Sequence, residues 1–127
     1  SVKTHTQTEM IDVTALVQQQ VSASGIADGL CVVFVPHTTA AVTINENADP
    51  TVKADILKVI NKIIPLDDGY RHLEGNSAAH IKASLMGASV QLPVSGGHLL
   101  LGTWQGIYFC EFDGPRTRKV HVKVIAG

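Results

Sequence analysis

Ala88-Ser89-Val90-Gln91-Leu92-Pro93, His98-Leu99-Leu100-Leu101-Gly102, Ile107-Tyr108-Phe109-Cys110-Glu111-Phe112 and the segment Arg118 to Ile125 follow one another with only short connections between them. They are four strand signals in succession, and they come after the last helix signal of the chain. Strands grouped in this way, rather than alternating strictly with helices, favour an α+β fold with a mostly antiparallel, sandwich-like sheet. Ser95-Gly96-Gly97 reads as a hairpin connection and Thr103-Trp104-Gln105-Gly106 as a second one.

Working outward, further strand signals lie at Thr4 to Ile11, Leu30 to Pro36 and Ala41 to Asn45. Thr4 to Ile11 and Arg118 to Ile125 alternate polar and apolar residues, so each is expected to keep one wet face. Leu30 to Val35 is apolar throughout and is expected to be covered on both sides. Three helices are marked by their ends. The first starts at Asp12 or Thr14, carries Val13, Leu16, Val17 and Val21 on one stripe, and stops at Gly25. The second opens with Asp49 as N-cap and Pro50 at its first position, is expected to bury Val52, Ile56, Val59, Ile60 and Ile63, and ends before Pro65. The third begins at Asn76 or Ser77, ends at Gly87, and offers Ala79, Ala83, Leu85 and Met86 for packing.

The length of 127 residues fits one domain spanning 1–127, and a chain of this size buries roughly two-thirds of the surface it exposes when unfolded. The residues are 45% hydrophobic but only 5% aromatic, so the core is expected to consist of Val, Ile, Leu and Ala. Ten basic and eleven acidic residues give a formal charge of -1, which provides no nucleic-acid footprint. Arg116, Arg118, Lys119 and Lys123 gather near the C-terminus as local anion contacts or a solvated face, not a polyphosphate track. Cys31 and Cys110 sit in apolar runs, where a buried free thiol is the usual occupant. No signal peptide and no apolar run of about 18 residues is found. The expected compartment is a reducing cytoplasm, with no membrane partner.

Four polar clusters fall at element ends, where a scaffold presents functional groups. Pro36-His37-Thr38-Thr39 follows the buried strand, so His37 leaves the core at a sheet edge as a turn histidine or a ligand. In Asn45-Glu46-Asn47-Ala48-Asp49-Pro50, the N-cap role accounts for Asp49, while Glu46 is either a ligand for metal or substrate or a solvated acid. In Tyr70 to His80, His72 and Glu74 approach on a loop and His80 lies in the first turns of the third helix. That convergence suits zinc or another divalent ion. A general acid/base histidine beside an anion explains the same residues without metal. Finally, Glu111 and Asp113 lie two apart at a strand end, with Arg116 and Arg118 just beyond the turn. They read as surface ion pairs, or as carboxylates for a cation beside phosphate-binding arginines. His5, His98 and His121 lack such company and are expected to be structural or exposed.

Together, His37-Thr38-Thr39-Ala40-Ala41, Asn45 to Pro50, His72 to His80 and Leu101 to Arg116, in that order, closely resemble the YjbQ-like family, also called the secondary thiamine-phosphate synthase family. The resemblance covers essentially the whole chain. It implies a small α+β homotrimer with a pocket near the subunit contacts, joining a hydroxymethylpyrimidine pyrophosphate to a thiazole phosphate with release of pyrophosphate. By motif, it implies His72, His80, Glu111 and Asp113 as catalytic groups. Thr38, Asn45, Asn76, Gln105, Arg116 and Arg118 would bind the phosphorylated substrate, and His37, Glu46, His72 and His80 would hold a divalent metal, zinc or magnesium. The alternatives are a metal-dependent hydrolase or metal-binding protein, and a non-catalytic trimeric ligand-binding module.

Overall fold

The strand Gln105–Glu111 organises the molecule, because Gly106 through Glu111 are all buried. Its residues alternate between two cores, as the two-residue period of a strand requires. Ile107 and Phe109 face one core, and Tyr108 and Cys110 face the other. A computed structural model describes residues 1–72 and 74–127. In chain order the strands are β1 Val2–Lys3, β2 Glu9–Asp12, β3 Gly29–Phe34, β4 Ala40–Glu46, β5 Ser89–Ser95, β6 His98–Leu99, β7 Gln105–Glu111, β8 Thr117–Arg118 and β9 His121–Ala126. The helices are α1 Thr14–Ser24, α2 Pro50–Ile63 and α3 Ser77–Met86. The fold is α+β, and every strand pairing is antiparallel.

Three sheets are formed, in the orders β2-β7-β4, β6-β5-β3-β9 and β1-β8. The first core lies between the two larger sheets, where Cys31, Val33, Leu92 and Val94 meet Val42, Ile107 and Phe109 and where α1 inserts Val17 and Val21. On the other face of β2-β7-β4, Met10, Ala41, Tyr108 and Cys110 receive Ala79 and Ala83 of α3, with Ile56 and Ile60 of α2 beside them. The short β1-β8 ribbon pairs Val2 with Arg118 and Lys3 with Thr117. Both cysteines are free and buried, and burial pushes the Cys110 thiol up to about 12. Among the described residues no helix is long and apolar enough to cross a membrane.

The helix ends follow the local chemistry. Asp49 accepts the Thr51 N–H at 2.9 Å as the N-cap of α2, and Gly25 ends α1 in the left-handed conformation. Ser95-Gly96-Gly97 does make a hairpin, pairing Ser95 with His98, and both glycines have positive φ.

Five expectations are corrected. The strand expected from Thr4 to Ile11 is interrupted, because Thr4 turns toward Arg116 and pairing with β7 resumes only at Glu9. The last strand likewise divides into β8 and β9. Thr103 to Gly106 is no hairpin, since β6 and β7 belong to different sheets. β3 is covered on one face only, with Leu30 and Phe34, the latter 44% exposed, looking outward beside Ile125. The apolar stripe of α2 is only half used as well. No residue of α2 is fully buried, and Ile63 is 70% exposed.

Candidate functional site

At the end of the sandwich closed by β1 and β8, Glu111 and Arg118 form a buried ion pair. Arg118 Nε donates to both Glu111 oxygens at 2.9 and 3.1 Å, and Nη2 donates to Oε2. Nη2 also reaches Thr39 Oγ1 at 2.8 Å. Glu111 accepts from Thr4 Oγ1 at 2.8 Å and from the Phe112 and Asp113 backbone N–H groups at 3.1 and 3.2 Å. Burial acts to raise the Glu111 carboxyl, but the Arg118, Thr4 and Asp113 hydrogen bonds outweigh it and hold the group below its ordinary value. With 0% exposure and donors on both oxygens, Glu111 cannot touch a substrate. Glu111, expected among the catalytic groups, lies behind the cavity wall rather than in it.

Beside this pair opens a cavity of ≈ 450 Å³ whose walls include His37, Thr38, His72, Asn76, His80, Asp113, Arg116 and Arg118. Arg116 Nη2 donates to Asp113 Oδ2 at 3.0 Å, and Asn76 Nδ2 donates to the same oxygen at 2.9 Å. Asn76 stands at the N-cap position of α3, but it spends its side chain on Asp113 rather than on capping the helix. Its Oδ1 is buried without a partner among the described residues. Arg118 also keeps Nη1 without a protein partner there. His72 and His80 meet edge to face, with ring centroids 5.3 Å apart. Glu74 lies 4.0 Å from His72 and is largely exposed, so this contact adds little.

His37 is held differently. The Lys119 backbone N–H donates to its Nε2 at 2.9 Å, which leaves Nδ1 as the protonated nitrogen of the neutral ring. Desolvation, followed by the nearby Arg118 cation, lowers its pKa from 6.5. His37 thus enters the cavity as a neutral N–H donor at neutral pH. A second space of ≈ 480 Å³ adjoins the first, sharing His37, Thr38 and His80 and continuing along Ala40, Ala83 and Gly87. Together they make one groove with a charged end and a more apolar end.

Asn45, Glu46 and Gln105 are not part of this groove. Glu46 pairs with Gln105 at the far end of β4 and β7, whereas Ala40 pairs with Glu111 near the cavity, a separation of about 20 Å at the rise of a strand. There Asn45 Oδ1 accepts the Glu46 N–H, Gln105 Oε1 accepts the Gly102 N–H, and Asn47 donates to Asp12. The metal set His37, Glu46, His72 and His80 therefore does not converge within one chain, and Lys119 already occupies His37 Nε2. Among the described residues no three His, Cys, Asp or Glu groups stand close enough to hold a metal ion. Sequence reasoning missed Thr4, which no local pattern marks. It also missed Ser84, although Ser84 follows His80 by one helical turn, and it read Ala83 as a packing residue only.

Two predictions follow from this geometry. Glu111→Gln leaves the Arg118 charge buried without its counter-charge and should cost about 3–5 kcal/mol in chemical denaturation, while Glu111→Leu combined with Arg118→Met should cost less. For His37, the unfolded chain takes up a proton first as pH falls below 6.5, so the stability associated with the neutral ring is complete above that value and declines below it. Its ring nitrogens, followed by NMR, should titrate with a midpoint below 6.5. A midpoint at or above that value would contradict the neutral-donor assignment.

Known proteins of similar sequence and shape share this arrangement's scaffold. A UPF0047 protein of Methanocaldococcus jannaschii is 52% identical over 124 residues, covering 98% of this chain and 90% of the relative. The UPF0047 protein YugU of Bacillus subtilis is 51% identical over 125 residues, covering 98% and 95%. A crystal structure of a YjbQ/UPF0047-family protein from Clostridium acetobutylicum superposes with a TM-score of 0.96 at 60% identity, covering 98% of this chain and 96% of that one. With residues 1–127 matched by the family described as UPF0047 protein YjbQ-like, the chain belongs to that family.

Proposed function

We propose that the protein is a transferase for phosphorylated small molecules, joining a hydroxymethylpyrimidine pyrophosphate to a thiazole phosphate to give thiamine phosphate and pyrophosphate. The observation that carries this reading is the two-ended groove. Its charged end offers Arg116 and the unpartnered Nη1 of Arg118, donors suited to a phosphate or a departing pyrophosphate. Its other end, along Ala40, Ala83 and Gly87, has the apolar lining that a heteroaromatic ring requires. In this reaction the thiazole nitrogen attacks the pyrimidine methylene carbon, the carbon–oxygen bond breaks, and pyrophosphate leaves with the electron pair. His37 would donate its Nδ1–H to a phosphate oxygen. In this proposal the His72–His80 pair, which lines the same cavity as Arg116 and Arg118, would supply a proton to the leaving group.

The buried, unpartnered Asn76 Oδ1 supports a second reading, in which a divalent ion is held by Asn76 with His72 or His80. Such an ion would supply charge stabilisation to a phosphate. One assay addresses both. Protein purified from cells lacking other thiamine-forming enzymes is given the two precursors with magnesium, with zinc, or with chelator. Thiamine phosphate should form, and Arg116→Ala and His80→Ala should each lower kcat at least tenfold without loss of fold, on the scale of removing one charge-stabilising donor. No product under any of the three conditions would refute the reaction, and activity that survives chelation would remove the ion.

The homotrimer enters as part of the same proposal. The chain exposes two unlike apolar surfaces: Leu30, Phe34 and Ile125 on the outer sheet face, and Val59, Ile63 and Leu85 along α2 and α3. Two different patches are what a head-to-tail ring needs. A ring could also bring the Asn45, Glu46 and Gln105 end of one copy toward the groove of the next. Light scattering should give three times the 13.5 kDa chain mass, and Phe34→Glu or Ile63→Glu should dissociate it. A monomeric wild-type protein would defeat this part of the proposal.

A further inference from the structure

On the side of α3 away from the groove, Lys82 is buried to 4% exposure. Ala78 and Lys82 stand one helical turn apart on that side, whereas Asn76, His80 and Ser84 line the groove on the other. The Lys82 ammonium makes one hydrogen bond, from Nζ to Asn61 Oδ1 of α2 at 2.6 Å. Asn61 in turn donates from Nδ2 to Thr8 Oγ1 at 3.1 Å, joining α3, α2 and the loop between β1 and β2.

Among the described residues Lys82 forms no ion pair. An ammonium has three donors, so two of its N–H groups remain unassigned. Lys82 lines a cavity of ≈ 150 Å³, separate from the groove, together with Gln7, Thr8 and Asn61 on its polar side and Leu66, Ala78 and Phe112 on its apolar side. No carboxylate lines it. Desolvation lowers the Lys82 pKa, as expected for a buried cation lacking a counter-charge. Such a group must be matched by an anion or lose its proton. The space equals about five waters by liquid volume, which is ample for a tetrahedral phosphate or a carboxylate.

We propose that this cavity is a second, independent binding site for a small oxyanion, a phosphate or carboxylate group, anchored by Lys82 between α2 and α3. Thr8 Oγ1–H and the Gln7 amide complete the donor set, and Asn61 orients the ammonium while contributing no charge of its own. Occupancy would tie α2, whose residues are all at least partly exposed, to α3 and to the β1–β2 loop.

The test reads Lys82 itself. In protein carrying ¹⁵N-labelled lysine, its side-chain resonance is identified by its loss in Lys82→Met. Inorganic phosphate and acetate are then titrated separately at neutral pH, in an Arg116→Ala background that weakens anion binding in the groove. Saturable movement of the Lys82 resonance with phosphate is expected if the site takes a tetrahedral anion, and with acetate if it takes a carboxylate. Asn61→Asp, which supplies a counter-charge from the protein, should weaken that binding at least tenfold. A resonance that moves with neither anion overturns the site, as does binding unchanged in Asn61→Asp.

Discussion

Glu111 and Arg118 face each other at the end of the sandwich with almost no access to water, and most of what surrounds the groove is attached to them. Arg118 reaches Thr39, the residue after Thr38 in the groove wall. Glu111 accepts the backbone of Asp113, which fixes the turn carrying Arg116. Thr4 bridges the pair to Arg116, donating to Glu111 and accepting the Arg116 N–H at 2.9 Å. Lys119, next in sequence to Arg118, holds His37 by its backbone. A buried ion pair of this kind adds little net stability over apolar packing, since desolvation offsets most of the attraction. Its effect here is geometric. Three segments distant in sequence, at Thr4, at Thr39 and from Glu111 to Arg118, must reach one point for the two charges to be satisfied, and the groove forms where they meet.

This arrangement also determines how the groove presents charge. Arg118 is matched by Glu111 and Arg116 by Asp113, so the wall has little net charge in spite of its two guanidiniums. What it offers an anion is a set of fixed N–H donors in a partly dehydrated space: Nη1 of Arg118, the outer edge of Arg116 and Nδ1 of a neutral His37. Fixed donors of this kind require no reorganisation when a ligand's charge changes, which is the condition for stabilising a leaving group. The neutrality of His37 follows first from its burial and then from the nearby Arg118 cation, and a protonated ring would also lose the Lys119 bond.

Much of this was legible in the sequence, and the exceptions have physical reasons. Helix ends were legible because capping is local: Asp49, Gly25 and the Gly96-Gly97 hairpin act within a few residues. The groove residues His37, His72, His80, Asp113 and Arg116 were legible as polar clusters at element ends. The burial of Glu111 was not legible, because spacing gives its face but not its depth, and the ribbon covering it comes from Val2 and Arg118, far apart along the chain. Lys82 was missed for a similar reason. A lysine within a helix reads as solvated until the packing of α2 and the β1–β2 loop around it is known. The outer faces of β3 and α2 were expected to be buried because their composition is apolar, and composition does not say whether the cover comes from the same chain.

The topology of β4 and β7 imposes a division that motif reading alone could not anticipate. The two strands run antiparallel over seven paired positions, so the polar residues at their ends form two groups, one around Ala40 and Glu111 and one around Glu46 and Gln105. No side chain spans that length, and a rigid sheet buried on both faces cannot bend to bring the ends together. Within one chain the first group makes the groove, while the second closes the opposite rim through Asn47, Asp12 and the Trp104 carbonyl. Asn45 nevertheless keeps its side chain at the surface, and the indole of Trp104 beside it is largely exposed. With Trp104 64% exposed, most of that aromatic surface adds nothing to the packing of its own chain, so this rim is held by its hydrogen bonds rather than by apolar burial.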